Sequence, residues 1–268
     1  MANPASVQFV GDIPRYYDQH LGPIIFQDYA ADLAQRAARI GGGDILEIAA
    51  GTGISTVALR AALPPTTQLT ATDLNAPMLD IARGKLPADA NVAFQQADAM
   101  ALPFADAAFD LVVIQFGAMF FPDKPAAFAE ARRVLKPNGA LLFNVWSAMN
   151  ANPFAEIANA AGMHFLPDNP PKFYLTPFGY ADVARVRADL GVGGFRTISH
   201  TAVRCDKTVP DWNHFARGAV YGNPLIADLQ ATGVDTEEVS GWIATALLDR
   251  FGAAPAQMPL EAIVYEAR

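Results

Sequence analysis

Along residues 27–146, apolar positions occur in two patterns, one with the spacing of a helix and one in short continuous runs. Residues 27–40 carry apolar side chains at helical spacing, and the triple glycine at 41–43 then ends the helix at little cost. After that point, short apolar runs that predict buried strands alternate with further helical stretches. Strands are predicted at 44–49, 68–74, 92–99, 109–116 and 140–146, with helices at 53–63, 76–86 and 124–135 and a KPNG turn at 136–139. This alternation predicts a parallel sheet covered on both faces.

The alternation of strand and helix patterns stops after Trp146. Residues 147–180 are rich in loop signals and aromatic residues, before a helix (180–191) and a strand (195–205) resume the core pattern. Residues 206–258 then read as a mostly helical insertion, in which Asp235 is a suitable N-cap. A last strand is predicted at 260–267, so the pattern indicates one core with two cap insertions.

Composition limits the possible partners. The 268 residues are 52% hydrophobic and 17% charged, which is typical of a folded globular chain. A net charge of −8 argues against nucleic acid or an anionic membrane as the main partner, because either one attracts a basic surface. The longest apolar run, 111–121, is shorter than the roughly 20 residues of a membrane span. A single cysteine, Cys205, and the absence of a secretory signal pattern predict a cytoplasmic protein that binds a small molecule.

A small-residue loop follows the first predicted strand. Gly51 and Gly53 would let a ligand approach the backbone there, and Asp73 ends the second strand about 20 residues later, where a carboxylate can accept hydrogen bonds from a ribose. Together these features favour an adenosine-type cofactor over a plain turn followed by a helix cap. Thr56 stands where a dinucleotide-binding loop would have its third glycine, and the carboxylate of Glu47 inside the strand would repel a pyrophosphate. S-adenosylmethionine (SAM), whose reactive end is cationic, fits better than a nicotinamide nucleotide.

Four motifs in order resemble the class I SAM-dependent methyltransferases, with the greatest likeness to the branch that includes quinone-biosynthesis enzymes. They are ILEIAAGTG, TATDLNAPMLDIAR, QQADAMALPFADAAFDLVVIQFGAMFFPD and EARRVLKPNGALLFNVW, which together cover about residues 40–147. The resemblance implies an α/β fold with a Rossmann-like, doubly wound, seven-stranded sheet, an antiparallel C-terminal strand and helical and aromatic cap insertions. It further implies one methyltransferase domain over 1–268, with a core at 27–147, 181–205 and 259–268. The caps would be 148–180 and 206–258, and residues 1–26 would close over the cofactor.

The resemblance also implies a set of cofactor contacts. The loop would hold the methionine part of SAM, Asp73 the ribose, and Asp98 the adenine amine, and the N-terminal segment would close over them. The implied set is Tyr17, Phe26, Glu47, Ala49, Gly51, Thr52, Gly53, Asp73, Leu74, Met78, Asp98, Ala99, Gln115 and Phe116. Ala49 replaces a glycine that is common in the family, a change that is free of strain if its φ is negative.

Methyl transfer from SAM is an in-line displacement, so positioning and exclusion of water can supply much of the catalysis. If the acceptor must lose a proton, His164 or His214 in the cap segments is the candidate base, with Tyr16, Tyr17 or Gln115 orienting the nucleophile. The alternative is that both histidines serve only packing or the surface. No histidine stands at metal-ligand spacing from another ligand, so no metal site is expected.

The sequence therefore predicts methyl transfer from SAM, with S-adenosylhomocysteine (SAH) as product, to a small, largely apolar acceptor. An NAD(P)-dependent oxidoreductase and a non-catalytic SAM- or SAH-binding protein remain alternatives. The aromatic caps are expected to line the acceptor pocket, and their alternative use is a homodimer interface.

Overall fold

The computed structural model describes residues 9–268, so residues 1–8 of the predicted closing segment lie outside the described part. Seven strands form one sheet: β1 Asp44–Ile48, β2 Gln68–Asp73, β3 Val92–Gln96, β4 Phe109–Gln115, β5 Leu135–Trp146, β6 Ile198–Val209 and β7 Ala256–Ala267. The α-helices are α1 Ile13–Tyr16, α2 Gln27–Ile40, α3 Ile54–Ala62, α4 Ala76–Gly84, α5 Lys124–Val134, α6 Pro153–Phe165, α7 Leu175–Phe178, α8 Val183–Val192, α9 Trp212–Tyr221, α10 Leu225–Thr232 and α11 Thr236–Phe251. None of the helices within residues 9–268 combines the length and apolar character needed to cross a membrane.

The strand order is β3-β2-β1-β4-β5-β7-β6. The first five strands pair in parallel, whereas β7 pairs antiparallel with both β5 and β6. This arrangement confirms the predicted α/β class, the seven strands and the antiparallel C-terminal strand. Because the chain runs outward from β1 to β3 and then returns to the other side of β1, the order reverses between β1 and β4. An open α/β sheet binds its ligands at such a reversal.

Adjacent strand residues face opposite layers of the core. Ile45 and Leu111 pack with α2 and α3, while Leu46 and Val112 join the larger cluster on the other face. This alternation explains why the central strands are largely apolar on both faces, since both faces are covered. The predicted N-cap role of Asp235 is confirmed, because its carboxylate accepts a hydrogen bond from the N–H of Glu237 at the start of α11.

The structure differs from the predicted elements at several boundaries. The KPNG segment does not separate α5 from β5 as a free turn but lies within β5, where pairing with β4 jumps from Leu135 to Ala140. Strand β6 begins at Ile198 and continues to Val209, and β7 begins at Ala256, so the helical insertion between them is shorter than its pattern indicated. The segment after β5 contains the 13-residue helix α6, where mainly loop was predicted.

A π-helix, Tyr17–Phe26, connects α1 to α2, and we call these ten residues the lid. Pi-helical segments are rare and are frequently found at functional sites. Side-chain hydrogen bonds from elsewhere in the chain hold the lid at several points: Gln115 Nε2 donates to the carbonyl of Phe26 at 3.1 Å, and Thr52 Oγ1 donates to Asp18 at 2.7 Å. Tertiary contacts of this kind position the lid across the carboxyl ends of the strands.

Candidate active site

The carboxyl ends of β1, β2 and β4 open into a cavity of about 1290 Å³, part of which is open to solvent. The lid covers one side of it, and the segments after β5 and α9 cover another. Polar residues line the half at the strand ends, while aromatic residues dominate the half under the caps. The cavity therefore joins two chemically different subsites.

The loop after β1 turns sharply with two glycines in left-handed conformations, Gly51 at φ 56° and Gly53 at φ 81°. A Cβ on Gly53 would lie 2.7 Å from the Cβ of Ala82, so a glycine is needed for α3 to begin this close to α4. Ala49 has φ 57°, so the condition of a negative φ, under which alanine would replace glycine without strain, is not met. The left-handed region is costly for a residue with a Cβ, so the backbone is strained at a residue that lines the cavity.

Asp73 lies at the end of β2, with 7% of its surface exposed. Its Oδ2 accepts a hydrogen bond from the N–H of Gly51 at 2.9 Å, and its Oδ1 accepts one from the N–H of Asn75 at 2.8 Å. Burial raises the pKa of Asp73 above its usual value, and these backbone donors act in the opposite direction. Oδ1 also accepts a longer hydrogen bond from Asn75 Nδ2 at 3.4 Å. The carboxylate lines the cavity, where it is placed to accept from a ligand hydroxyl as well.

Glu47 is fully buried in β1, behind the glycine loop, and does not line the cavity. Ser55 Oγ, in the first turn of α3, donates a hydrogen bond to its Oε1. Burial raises the pKa of Glu47 to about 7, and the hydrogen bond from Ser55 partly opposes that rise. The carboxyl group therefore contacts the first turn of α3, which follows the glycine loop, and does not contact a ligand in the cavity.

Eleven of the fourteen residues predicted to contact the cofactor line the cavity. They are Tyr17, Phe26, Ala49, Gly51, Asp73, Leu74, Met78, Asp98, Ala99, Gln115 and Phe116. The other three do not line it. Glu47 is hydrogen-bonded to Ser55, Thr52 to Asp18 of the lid, and Gly53 packs against Ala82. The roles of all fourteen residues in cofactor binding stay predictions.

The end of β4 supplies a polar group and an aromatic wall. Gln115 lines the cavity, and its amide holds the Phe26 carbonyl at the end of the lid. Phe116 has φ 49°, and its N–H donates to the buried Oδ1 of Asn144 at 2.9 Å. Its ring stacks on Trp146 with 4.1 Å between centroids and an interplanar angle of 16°. The backbone strain at Phe116 thus accompanies a flat aromatic surface.

The cap half of the cavity is almost entirely apolar. Sequence reasoning had placed Phe154, Phe173, Tyr174 and Phe178 in a cap, and the structure brings all four to the wall. The cap polar groups Tyr174 and Asn223 bond mainly to each other and to the backbone: Tyr174 Oη donates to the carbonyl of Ala219 at 2.9 Å, and Asn223 Nδ2 donates to that carbonyl at 2.8 Å.

Trp146, Asn223, Leu21 and Ile25 also line the cavity and were missed as site residues. Trp146 ends a predicted strand that points at the site, which is the signal that was available for it. The other three depend on how the lid and the caps fold over the sheet.

The candidate bases lie away from the cavity. His164, at the end of α6, stacks on Trp242 with 5.5 Å between ring centroids. His214, on α9, stacks on His20 at 4.0 Å, and Tyr16 stacks on the same His20 at 5.2 Å. Of the five candidates for the chemical step, Tyr17 and Gln115 line the cavity, whereas His164, His214 and Tyr16 do not. In the described part of the chain, no group of three or more His, Cys, Asp or Glu residues is arranged to hold a metal ion.

Comparison with known proteins agrees with this geometry. Residues 46–143 match the family model described as a methyltransferase domain. The ubiquinone/menaquinone biosynthesis C-methyltransferase UbiE of Pseudomonas aeruginosa (strain LESB58) is 39% identical over 129 residues, covering 47% of this chain and 50% of that protein. This chain therefore spans about half the length of the curated relative that it matches.

Two solved structures share the fold. The YcgJ protein of Bacillus subtilis has a TM-score of 0.57 at 19% identity and covers 90% of this chain and 97% of its own. Phosphoethanolamine N-methyltransferase 2 of Haemonchus contortus, in complex with S-adenosyl-L-methionine, has a TM-score of 0.59 at 15% identity. The match covers 95% of this chain and 56% of that protein's chain. At these identities the structural likeness shows the fold alone. The predicted resemblance to the class I SAM-dependent methyltransferases is confirmed.

Proposed function

We propose, from its resemblance to the class I methyltransferases, that this protein transfers a methyl group from SAM to a small, largely apolar acceptor. The observation that carries the proposal is the two-part cavity, in which carboxylates line one half and aromatic rings the other. The family match ends at residue 143, before both cap segments, so it supports the cofactor more directly than the acceptor.

The residues of the strand-end half fit SAM. Asp73 can accept from both ribose hydroxyls and Asp98 from the adenine amine, while Leu74 and Met78 offer apolar surface to the base. Among the described residues that line the cavity there is no lysine or arginine to neutralise a pyrophosphate. That composition argues against the NAD(P)-dependent alternative and suits a ligand with a cationic sulfonium.

When bound, SAM supplies a methyl carbon on a positively charged sulfur. In the proposed mechanism Gln115 and the Phe116–Trp146 stack orient the acceptor at the end of β4, and the lid with the aromatic caps excludes water. Holding the nucleophile in line and desolvating it account for the rate acceleration. Neither His164 nor His214 lines the cavity, so the proposal assigns them no proton transfer.

The acceptor class follows from the cap half. Phe154, Phe173 and Phe178 are each less than 9% exposed and lie inside one chain, which favours a pocket over the alternative of a homodimer interface. A flat, mostly apolar ring matches the stacked wall formed by Phe116 and Trp146. The name of the UbiE relative makes quinone-like or hydroquinone-like rings the first compounds to test. A nucleic-acid partner is disfavoured by the net charge of −8.

Calorimetry with SAH and with NADH tests the cofactor. We expect SAH to bind and NADH not to bind; tight binding of NADH with no SAH binding at millimolar concentration would refute the proposal. Turnover is then measured as SAH release with a panel of naphthohydroquinones and simple phenols. Tight SAH binding without product from any acceptor would favour the non-catalytic alternative.

A further inference from the structure

The lid is tied to the glycine loop through the carboxylate of Asp18, the second residue of the π-helix. Its Oδ1 accepts a hydrogen bond from Thr52 Oγ1 at 2.7 Å. The same oxygen accepts one from Nζ of Lys85, the residue directly after α4. The side chains of Asp18 and Lys85 are 21% and 26% exposed, so the ion pair is largely withdrawn from water.

These contacts join three pieces that surround the strand-end half of the cavity: the lid, the glycine loop and the end of α4. Tyr17, next to Asp18, lines the cavity, and burial together with the nearby Asp73 and Asp18 carboxylates raises its pKa. Gly22 of the lid packs against α3 so closely that a Cβ there would lie 2.9 Å from Cδ1 of Ile54. The lid thus rests directly on the loop, over an Asp73 that is only 7% exposed.

The hydroxyl of Thr52 explains why this loop residue does not line the cavity. It is directed to Asp18 and is therefore engaged with the lid rather than with a ligand. Tyr17, the residue before Asp18, and Asp73 line the same part of the cavity. Separation of the lid from Thr52 and Lys85 would therefore widen the cavity around Asp73.

We propose that Asp18 is a positioning residue that latches the lid over the bound cofactor and thereby sets its dissociation rate. The inference rests on the proposed function, since it takes SAM and SAH as the occupants. Asp18 acts through Thr52 and Lys85 and does not line the cavity itself. Loss of the latch accelerates release while the cofactor-contacting residues stay in place.

Two variants remove the ion pair from opposite sides. Asp18→Asn keeps an oxygen that can accept from Thr52 but loses the charge that pairs with Lys85. Lys85→Met keeps a similar side-chain length and removes the cation. Because both variants abolish one shared interaction, their effects on the dissociation rate should not add in the double variant.

The test measures SAH dissociation by stopped-flow competition in the 268-residue protein. We expect each single variant to release SAH roughly tenfold faster or more, as for loss of a hydrogen bond to a charged partner, and the double variant to match the faster single variant. The matched control is Asp80→Asn, which breaks the Asp80–Arg83 pair on the exposed side of α4 (71% and 47% exposed) and touches no lid residue; its rate should stay within twofold of wild type.

A further pair separates the hydroxyl from the charge. Thr52→Val should also accelerate release, and Thr52→Ser, which keeps the hydroxyl, should restore the wild-type rate.

The proposed latch is wrong if Asp18→Asn and Lys85→Met release SAH at the same rate as Asp80→Asn, or if the effects of the two variants add. Wild-type protein that does not bind SAH overturns the proposed function and the latch with it, whereas normal SAH binding with unchanged dissociation in the variants overturns the latch alone. Thermal unfolding of each variant confirms its folding, and Lys85→Met alone suffices if Asp18→Asn does not fold.

Discussion

Glu47 is a carboxyl group that the fold keeps away from water inside a strand. Its pKa is raised from 4.5 to about 7, first of all by burial. Because the folded-state value lies above the unfolded one, the native protein holds an extra proton between these pH values. The favourable contribution to stability is complete below about pH 4.5 and is lost as the pH rises to about 7. At about 1.4 kcal/mol per pKa unit, the loss amounts to roughly 3 kcal/mol.

Glu47→Gln should remove this pH dependence, because an amide keeps an acceptor for Ser55 and carries no charge at any pH. We expect the variant to be more stable than wild type by roughly 2 to 3 kcal/mol at pH 8 and to lose that advantage near pH 5. Urea denaturation across this range measures it. Glu238→Gln, on the exposed first turn of α11, controls for removal of a surface carboxylate. Curves for Glu47→Gln and wild type that run parallel with pH would contradict the assignment.

Asp73→Ala should weaken SAH binding by about 1.5 to 3 kcal/mol, the usual contribution of hydrogen bonds to a charged group. The substitution removes the proposed ribose acceptor and also frees the N–H of Gly51, which the carboxylate holds at 2.9 Å. Asp73→Asn keeps one acceptor oxygen and should lose less. Calorimetry gives the affinity and circular dichroism checks the fold. A dissociation constant within twofold of wild type would rule out the ribose role.

At the residue level, the sequence predicted strand ends better than side-chain directions. Asp73 was found because it ends a strand at the edge where the carboxyl ends of a parallel sheet meet. Gln115 and Thr52 were implied by the resemblance to the methyltransferases. Gln115 lines the cavity, yet the hydroxyl of Thr52 is directed to Asp18, a residue 34 positions earlier in the chain. His164 and His214 were candidates only through their cap segments, and how a cap is oriented on a sheet is decided by tertiary packing that local spacing does not encode.

Among the elements, local patterns were most informative where they were long and periodic. Helix α2 was predicted at the observed residues, Gln27–Ile40. Helix α6 was read as loop because prolines and aromatic residues flank it, although Pro153 is at the start of the helix, where proline is tolerated. The π-helical form of the lid was not predictable, because contacts from Gln115, Thr52 and Lys85 to the lid support it rather than local propensity.

The contact between α9 and the lid leads to a paired prediction. A Cβ on Gly218 would lie 2.7 Å from the Cβ of His20 and 2.9 Å from Cδ2 of Leu21, so Gly218→Ala must push the lid away and should destabilise the fold by about 1 to 3 kcal/mol. Gly241, within α11, has no atom within 4 Å of its Cβ position, and Gly241→Ala should stabilise by about 0.5 to 1 kcal/mol. Urea denaturation compares the two. Equal effects of the same sign would show that the close α9–lid contact is unimportant.

On the scale of the whole molecule, the cavity is a shared product of segments far apart in sequence. The lid, the ends of β1, β2 and β4, and both cap segments all contribute to its wall. No one of these segments can unfold without opening the cavity, so we propose that the chain behaves as one cooperative domain. Ligand binding should then stabilise all of the segments together, because a ligand that binds only the native state shifts the entire folding equilibrium.

Scanning calorimetry should therefore show one unfolding transition for the protein, and SAH should move that transition as a unit. At 100 times its dissociation constant, SAH should add about 2.7 kcal/mol to the free energy of unfolding. At about 2 to 4 °C per kcal/mol for a chain of this size, the Tm should rise by roughly 5 to 10 °C. NADH at the same concentration should leave the Tm unchanged, because the described cavity wall offers no cation for a pyrophosphate. Two transitions, of which SAH shifts only one, would mean that the caps fold independently of the sheet, and the lid and aromatic walls would then not form a preassembled site.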